Sequence, residues 1–101
     1  LHADRAADDV DRAALNNEYL DFDARARVRA DAGYVAKTVT EALNTLVSAH
    51  GAGSFAESNP MQRIWRDANV AARHAFVLPP VCEELYGKVL LGVDKNITPL
   101  I

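Results

Sequence analysis

The chain has 101 residues, half of them apolar, and a formal net charge of −3. That leaves room for one domain and argues against the basic footprint that nucleic acid demands. No run of about 18 apolar residues offers a membrane span, no charged-then-apolar leader opens the sequence, and the single cysteine, Cys82, rules out an internal disulfide and a cysteine-based zinc site. A lone thiol favours, weakly, a reducing cytoplasmic setting.

Helical periodicity runs through the chain with no competing strand signal. The first predicted helix covers about Ala3 to Asn16, with Val10, Ala14 and Leu15 as its inward positions and Asn16-Asn17 as its stop. The second runs from about Phe22 to His50, capped by Asp21 or Asp23. Val28, Ala32, Val35, Val39, Ala42 and Leu46 recur at alternating steps of 4 and 3, a seam suited to lengthwise packing. At 1.5 Å per residue this helix spans roughly 43 Å. His50 closes it, with Gly51 and Gly53 as left-handed stops.

A third helix restarts at Asn59 as N-cap with Pro60 in its first turn, where a missing N–H costs nothing. Met61, Ile64, Trp65, Ala68, Ala72, Ala75 and Phe76 fall on one apolar face, which carries the helix past His74 until Pro79-Pro80 breaks or kinks it. A last helical piece follows from about Val81 to Leu91, stopped by Gly92, and Val93–Ile101 reads as an extended tail. The expected architecture is all-α, an up-and-down antiparallel bundle of one domain over residues 1–101.

The segment from His50 to Ala75 concentrates the chemistry. Two glycines, a capped restart and a polar surface of Arg63, Arg66, Asp67, Arg73 and His74 lie within 26 residues. It reads as a loop and helix start built to meet an anionic ligand. The bland reading of the polar surface is a solvated face with an Arg63–Asp67 pair at i,i+4. Gly51-Ala52-Gly53-Ser54 has the composition of a turn whose backbone N–H groups approach a phosphate, although no strand precedes it and, taken by itself, a helix stop explains it better. An imidazole is the side chain suited to proton transfer at neutral pH, which makes His74 a candidate, while His2 and His50 support no functional assignment. Cys82 reads as a small buried hydrophobe, because no base stands near it in sequence.

Taken together, Gly51-Ala52-Gly53, Phe55, Pro60, Arg63 and Arg66-Asp67-Ala68 resemble the C-terminal helical domain of the acyl-CoA dehydrogenase superfamily. The similarity is densest over His50–Gly92 and thins toward Leu1. In many dehydrogenases of that superfamily a glutamate follows this helix and removes the substrate α-proton. The corresponding position here is Ala75, which has no base, and its neighbour is His74. That exchange resembles the flavin-dependent monooxygenase branch, including the oxygenase components of two-component phenol hydroxylases and the dibenzothiophene monooxygenase type.

The resemblance implies a reduced flavin cofactor, FMN or FAD, delivered by a separate flavin reductase, together with O2 and a small-molecule substrate. It implies His74 as the catalytic residue, stabilising the oxygenated flavin by a hydrogen bond or acting as general base on a substrate hydroxyl or amine. Gly51, Gly53 and Ser54 would approach the flavin phosphate or ribityl chain. Arg66 and Asp67 would serve the interface of a homo-oligomer, dimer or tetramer. The chain, opening at Leu1, is then expected to be a fragment of a larger flavoenzyme and inactive alone. The alternatives are an acyl-CoA dehydrogenase domain and a stand-alone helical oligomerisation module.

Overall fold

Side-chain caps open two of the helices, and positive-φ residues or prolines mark most of the other boundaries. The computed structural model describes residues 1–99 and 101, and comprises α1 (His2–Leu15), α2 (Phe22–His50), α3 (Pro60–Ala71) and α4 (Pro79–Leu90), with a 3-10 turn at Ala52–Phe55. Asn17, at φ 55°, ends α1 in the left-handed conformation that asparagine tolerates. Asp21 caps α2 by accepting from Ala24 N–H at 2.8 Å. Asn59 caps α3 by accepting from Met61 N–H at 3.0 Å, with Pro60 in the first turn as expected. Gly92, at φ 68°, follows the end of α4.

Two boundaries differ from expectation. α3 stops at Ala71, so Arg73, His74, Ala75 and Phe76 form a turn instead of a further helical face. The prolines do not interrupt α3; they open α4, where Pro79 and Pro80 occupy positions that need no N–H donor. Leu78, the residue before them, is correspondingly extended at ψ 114°.

α2 is the spine. α1, α3 and α4 each pack against it, and no other pair of these helices packs directly among the described residues. All three run antiparallel to α2, as paired positions show: Asp9 with Arg27, Asn44 with Trp65, Lys37 with Glu83 and Gly33 with Cys82. α3 lies along the C-terminal half of α2 and α4 along the N-terminal half, so the turn at 72–78 sits near the spine's midpoint. The tail returns across the N-terminal end, where Arg25 donates to the Ile101 carbonyl at 3.1 Å and Asn96 to the Leu85 carbonyl at 3.2 Å. The tail is irregular over 93–99 and not a plain extended strand; Leu100 lies outside the described residues.

The tightest packing joins α2 to α4. Ala26, Cys82 and Leu85 are fully buried there. A methyl group added at Gly33 would stand 2.6 Å from Cys82 Cβ, closer than carbon atoms can approach. The absent side chain lets the two helices meet, and Cys82 is the buried packing residue expected from sequence. The predicted seam behaves differently. Val28, Ala32, Val35 and Val39 line an open apolar groove of about 440 Å³, with Ala68 and Ala72 of the α3 end opposite, and Leu46 is 53% exposed. The molecule measures 48 × 31 × 18 Å with a radius of gyration of 16.7 Å, against about 13 Å for a compact chain of this length. A slab under two helix diameters thick leaves one long face of α2 uncovered.

Candidate functional site

The candidate residues gather at the two ends of α3. At its N-terminal end, Gly51 adopts φ 84° and ψ −167°, a mirror-image extended conformation essentially restricted to glycine. Its N–H still closes α2 on the Val47 carbonyl at 2.9 Å. Gly53 is not a second left-handed stop: its φ is not positive. Its carbonyl instead accepts from the Asn59 side chain at 3.2 Å, so the residue that caps α3 also ties the turn to the end of α2. Asn59 Nδ2 lies 3.3 Å from His50 Nε2 as well.

Gly51 and Gly53 are exposed, with nothing within 4 Å of a Cβ built at Gly51. Ser54 is not: it is fully buried, and its Oγ donates to the Val47 carbonyl at 3.2 Å. A serine expected to face a ligand therefore turns its hydroxyl inward and satisfies a carbonyl at the C-terminal end of α2. Beside the turn, Phe55 meets Trp65 edge to face at 5.4 Å, and Trp65 Nε1 donates to Asn44 Oδ1 at 2.7 Å. Arg63 and Asp67 form the expected pair at 3.9 Å on the solvent face, and Arg66 is exposed beside them.

His74 stands at the other end of α3, one helix length or about 18 Å away along the axis. It occupies a turn closed by hydrogen bonds from Val77 and Leu78 N–H to its carbonyl, at 3.0 and 2.9 Å. The imidazole is exposed, and its ring is stacked on Phe76 at 5.6 Å and 15°. Nδ1 accepts the Phe76 N–H at 3.2 Å. A ring nitrogen that accepts carries no proton, so the neutral imidazole that makes this bond holds its proton on Nε2.

The residue that shapes this turn was not visible as functional in the sequence. Arg29, half-buried on α2, donates from Nε to the Phe76 carbonyl at 3.0 Å and from an Nη to the Ala75 carbonyl at 3.1 Å, with its guanidinium carbon 5.0 Å from the Phe76 ring centre. Those carbonyls are thereby satisfied outside a helix. The only sequence signal was an arginine at every second position, Arg25, Arg27 and Arg29. At 100° per residue, Arg25 and Arg29 share a face and reach the tail and the His74 turn. Arg27 points the other way, to Asp9 of α1.

A second polar cluster joins α1 to α2. Asp31 is 3% exposed and binds Arg5 through both oxygens, with Arg5 Nε at 3.1 Å, while His2 Nδ1 lies 2.8 Å from Asp31 Oδ1. Burial alone would push the Asp31 carboxyl up; the hydrogen bonds from Arg5 and His2 outweigh it and hold the group below its ordinary value. The same hydrogen bond raises Arg5. His2, which also meets the Tyr34 ring at 4.5 Å, is thus a structural histidine.

The fold is thus a helical spine ending at a glycine turn, followed by an Arg-Asp helix and a turn that exposes a histidine. The sequence matches the family described as "Acyl-CoA dehydrogenase, C-terminal domain" over residues 1–79, and the chain belongs to that family. Within it, the chain is similar to oxygenase components of flavin-dependent monooxygenases. It is 33% identical over 84 residues to the oxygenase component of p-hydroxyphenylacetate 3-hydroxylase from Acinetobacter baumannii, covering 83% of this chain and 20% of that protein. It is 31% identical over 76 residues to the flavin-dependent monooxygenase oxygenase subunit HsaA from Rhodococcus jostii, covering 75% of this chain and 20% of that protein. Among solved structures, XiaF from a Streptomyces species, in complex with FADH2 and glycerol, superimposes with a TM-score of 0.92 at 49% identity, covering 99% of this chain and 25% of XiaF. The chain spans about a fifth of the length of the curated relatives it matches.

Proposed function

We propose that this chain is the C-terminal helical domain of the oxygenase component of a two-component monooxygenase, working with reduced flavin, O2 and a small-molecule substrate. The observation that carries the reading is His74, an exposed residue whose Nδ1 accepts the Phe76 N–H and leaves Nε2 as the nitrogen to carry the proton of the neutral ring. The oxygenase relatives and the FADH2 complex of XiaF support the cofactor class. Ala75 offers no carboxylate at the position of the dehydrogenase base, which favours monooxygenation over dehydrogenation.

Reduced flavin, when bound, supplies the electrons that activate O2. The residues of this chain do the positioning. Because Nδ1 is an acceptor, neutral His74 acts through Nε2–H as a hydrogen-bond donor to the oxygenated group; general base catalysis would need the opposite tautomer and would forfeit the Phe76 bond. Gly51 and Gly53, without side chains, leave room beside the turn for the phosphate or ribityl end of a flavin, although the Gly51 N–H is already given to the Val47 carbonyl, and Ser54 holds the turn from behind. With the glycine turn and His74 separated by the length of α3, the two ends serve different parts of the cofactor site or different subunits of a homo-oligomer. The uncovered face of α2 and the exposed Arg66 and Asp67 suit such an assembly.

The test is His74→Ala in the full-length enzyme. Product formation should fall by about 100-fold or more, with flavin affinity little changed and O2 consumption diverted to hydrogen peroxide. Undiminished product yield would remove the catalytic role.

A further inference from the structure

We infer that Arg29 is the positioning residue that fixes the tautomer of His74. The inference rests on the reading of His74 given above. The turn 72–78 contains no glycine, and Arg73-His74-Ala75 are compatible with helix as well as with turn, but Pro79 and Pro80 have no N–H and so leave the Ala75 and Phe76 carbonyls without an i+4 donor. Arg29 supplies the missing donors. Its fork takes the carbonyls of Ala75 and Phe76, and its guanidinium lies over the Phe76 ring. Held in that way, the Phe76 N–H points at His74 Nδ1, and the Phe76 ring lies parallel to the imidazole. The chain of consequence runs from a guanidinium on the spine, through two carbonyls and one N–H, to the nitrogen that keeps the proton. Arg29 touches neither nitrogen of the imidazole; it acts through the turn.

Lysine at this position would keep the charge and lose the planar fork that satisfies two carbonyls at once. Arg29→Lys and Arg29→Ala are made in the full-length enzyme, with helix content followed by circular dichroism. The two ring nitrogens of His74 are read by 15N NMR on flavin-free, 15N-histidine-labelled protein, with His74→Gln used to assign the signals. The native protein should show the proton on Nε2 above the imidazole titration. Both variants should show a mixture of tautomers with helix content retained, since position 29 is half-buried in an alanine-rich helix. Turnover of the reconstituted enzyme should then fall about 10- to 100-fold in kcat with KM for reduced flavin nearly constant, the pattern of a misplaced group.

An unchanged tautomer ratio in Arg29→Lys, whose fold is the more secure of the two, overturns the inference even if activity changes. The NMR signal is measured without flavin, so it stands or falls independently of the catalytic reading. His74→Ala with full product yield would sink that reading while leaving the tautomer result intact.

Discussion

At its N-terminal end α3 is fastened by residues within nine positions of one another, through Asn59, Gly53 and His50; at its C-terminal end it is fastened by an arginine 47 residues away from the carbonyl it binds. The two ends look equally ordered, yet they are encoded differently. The first is a local code of cap, proline and glycine whose meaning does not depend on the rest of the fold. The second is a tertiary contact, in which the Ala75 and Phe76 carbonyls, left without an i+4 donor by Pro79 and Pro80, are claimed by Arg29. A residue that must keep one protonated nitrogen gains from the second arrangement, because a contact reaching across the fold ties it to the spine and not to a free-standing turn.

The comparison is sharpened most by another long-range contact, Asp31. Arg5 and His2 reach it from 26 and 29 residues away and join α1 to α2. Asp31→Asn should cost about 3 kcal/mol in chemical denaturation of the full-length protein, the scale of its three hydrogen bonds to Arg5 and His2 discounted because both partners are nearly half exposed. The pH dependence has a definite sign. The folded-state pKa lies below the ordinary value, so this contribution is complete above about pH 4 and is lost as pH falls through the lowered folded value. The unfolded state takes up the proton first, and stability therefore rises with pH across that acid window. A stability difference between the native protein and the Asp31→Asn variant that stays constant below about pH 4 would break the argument.

Gly51 probes the local code. Alanine there meets no neighbour, so any cost is backbone conformation alone, about 2 kcal/mol for holding a side-chain-bearing residue at φ 84° and ψ −167°. The same substitution at Gly53, which lacks a positive φ and whose nearest neighbour to a new methyl is His50 Nε2 at 3.8 Å, should cost much less. Equal losses at the two glycines would show that the turn is held by something other than Gly51.

This contrast also explains what the sequence could and could not disclose. The boundaries of α2, the restart of α3 at Asn59-Pro60 and the stop at Gly92 were legible because each carries its own capping chemistry. The end of α3 was not, since Ala71, Ala72, Arg73 and Ala75 are good helix formers and nothing local announces Arg29. His74 was legible as a residue and misplaced as a geometry: expected on a helical stripe, it stands in a turn. Ser54 was grouped with the glycines as one phosphate-approaching turn, and only the fold reveals that its hydroxyl turns inward to the Val47 carbonyl, which the Gly51 N–H also reaches. The seam on α2 was read correctly as apolar, but in this chain most of it faces an open groove while Gly33 and Cys82 carry the close packing.

The smallest effect belongs to Arg63 and Asp67, and it separates stability from assembly. Their pair spans one turn of α3 at 3.9 Å with both side chains largely exposed. Such a pair stabilises a helix by about 0.3 kcal/mol and is screened by salt. Asp67→Ala should therefore leave the thermal midpoint of a separated subunit within about 1 °C of the native value. If Asp67 and its neighbour Arg66 meet another subunit, as the proposed homo-oligomer requires, the same substitution should shift the association equilibrium well beyond that small intrachain effect. Sedimentation of the full-length protein at several concentrations reads the two apart: a lowered assembly state with an unchanged subunit midpoint assigns this face to the interface, and no change in either leaves it a solvated helix surface.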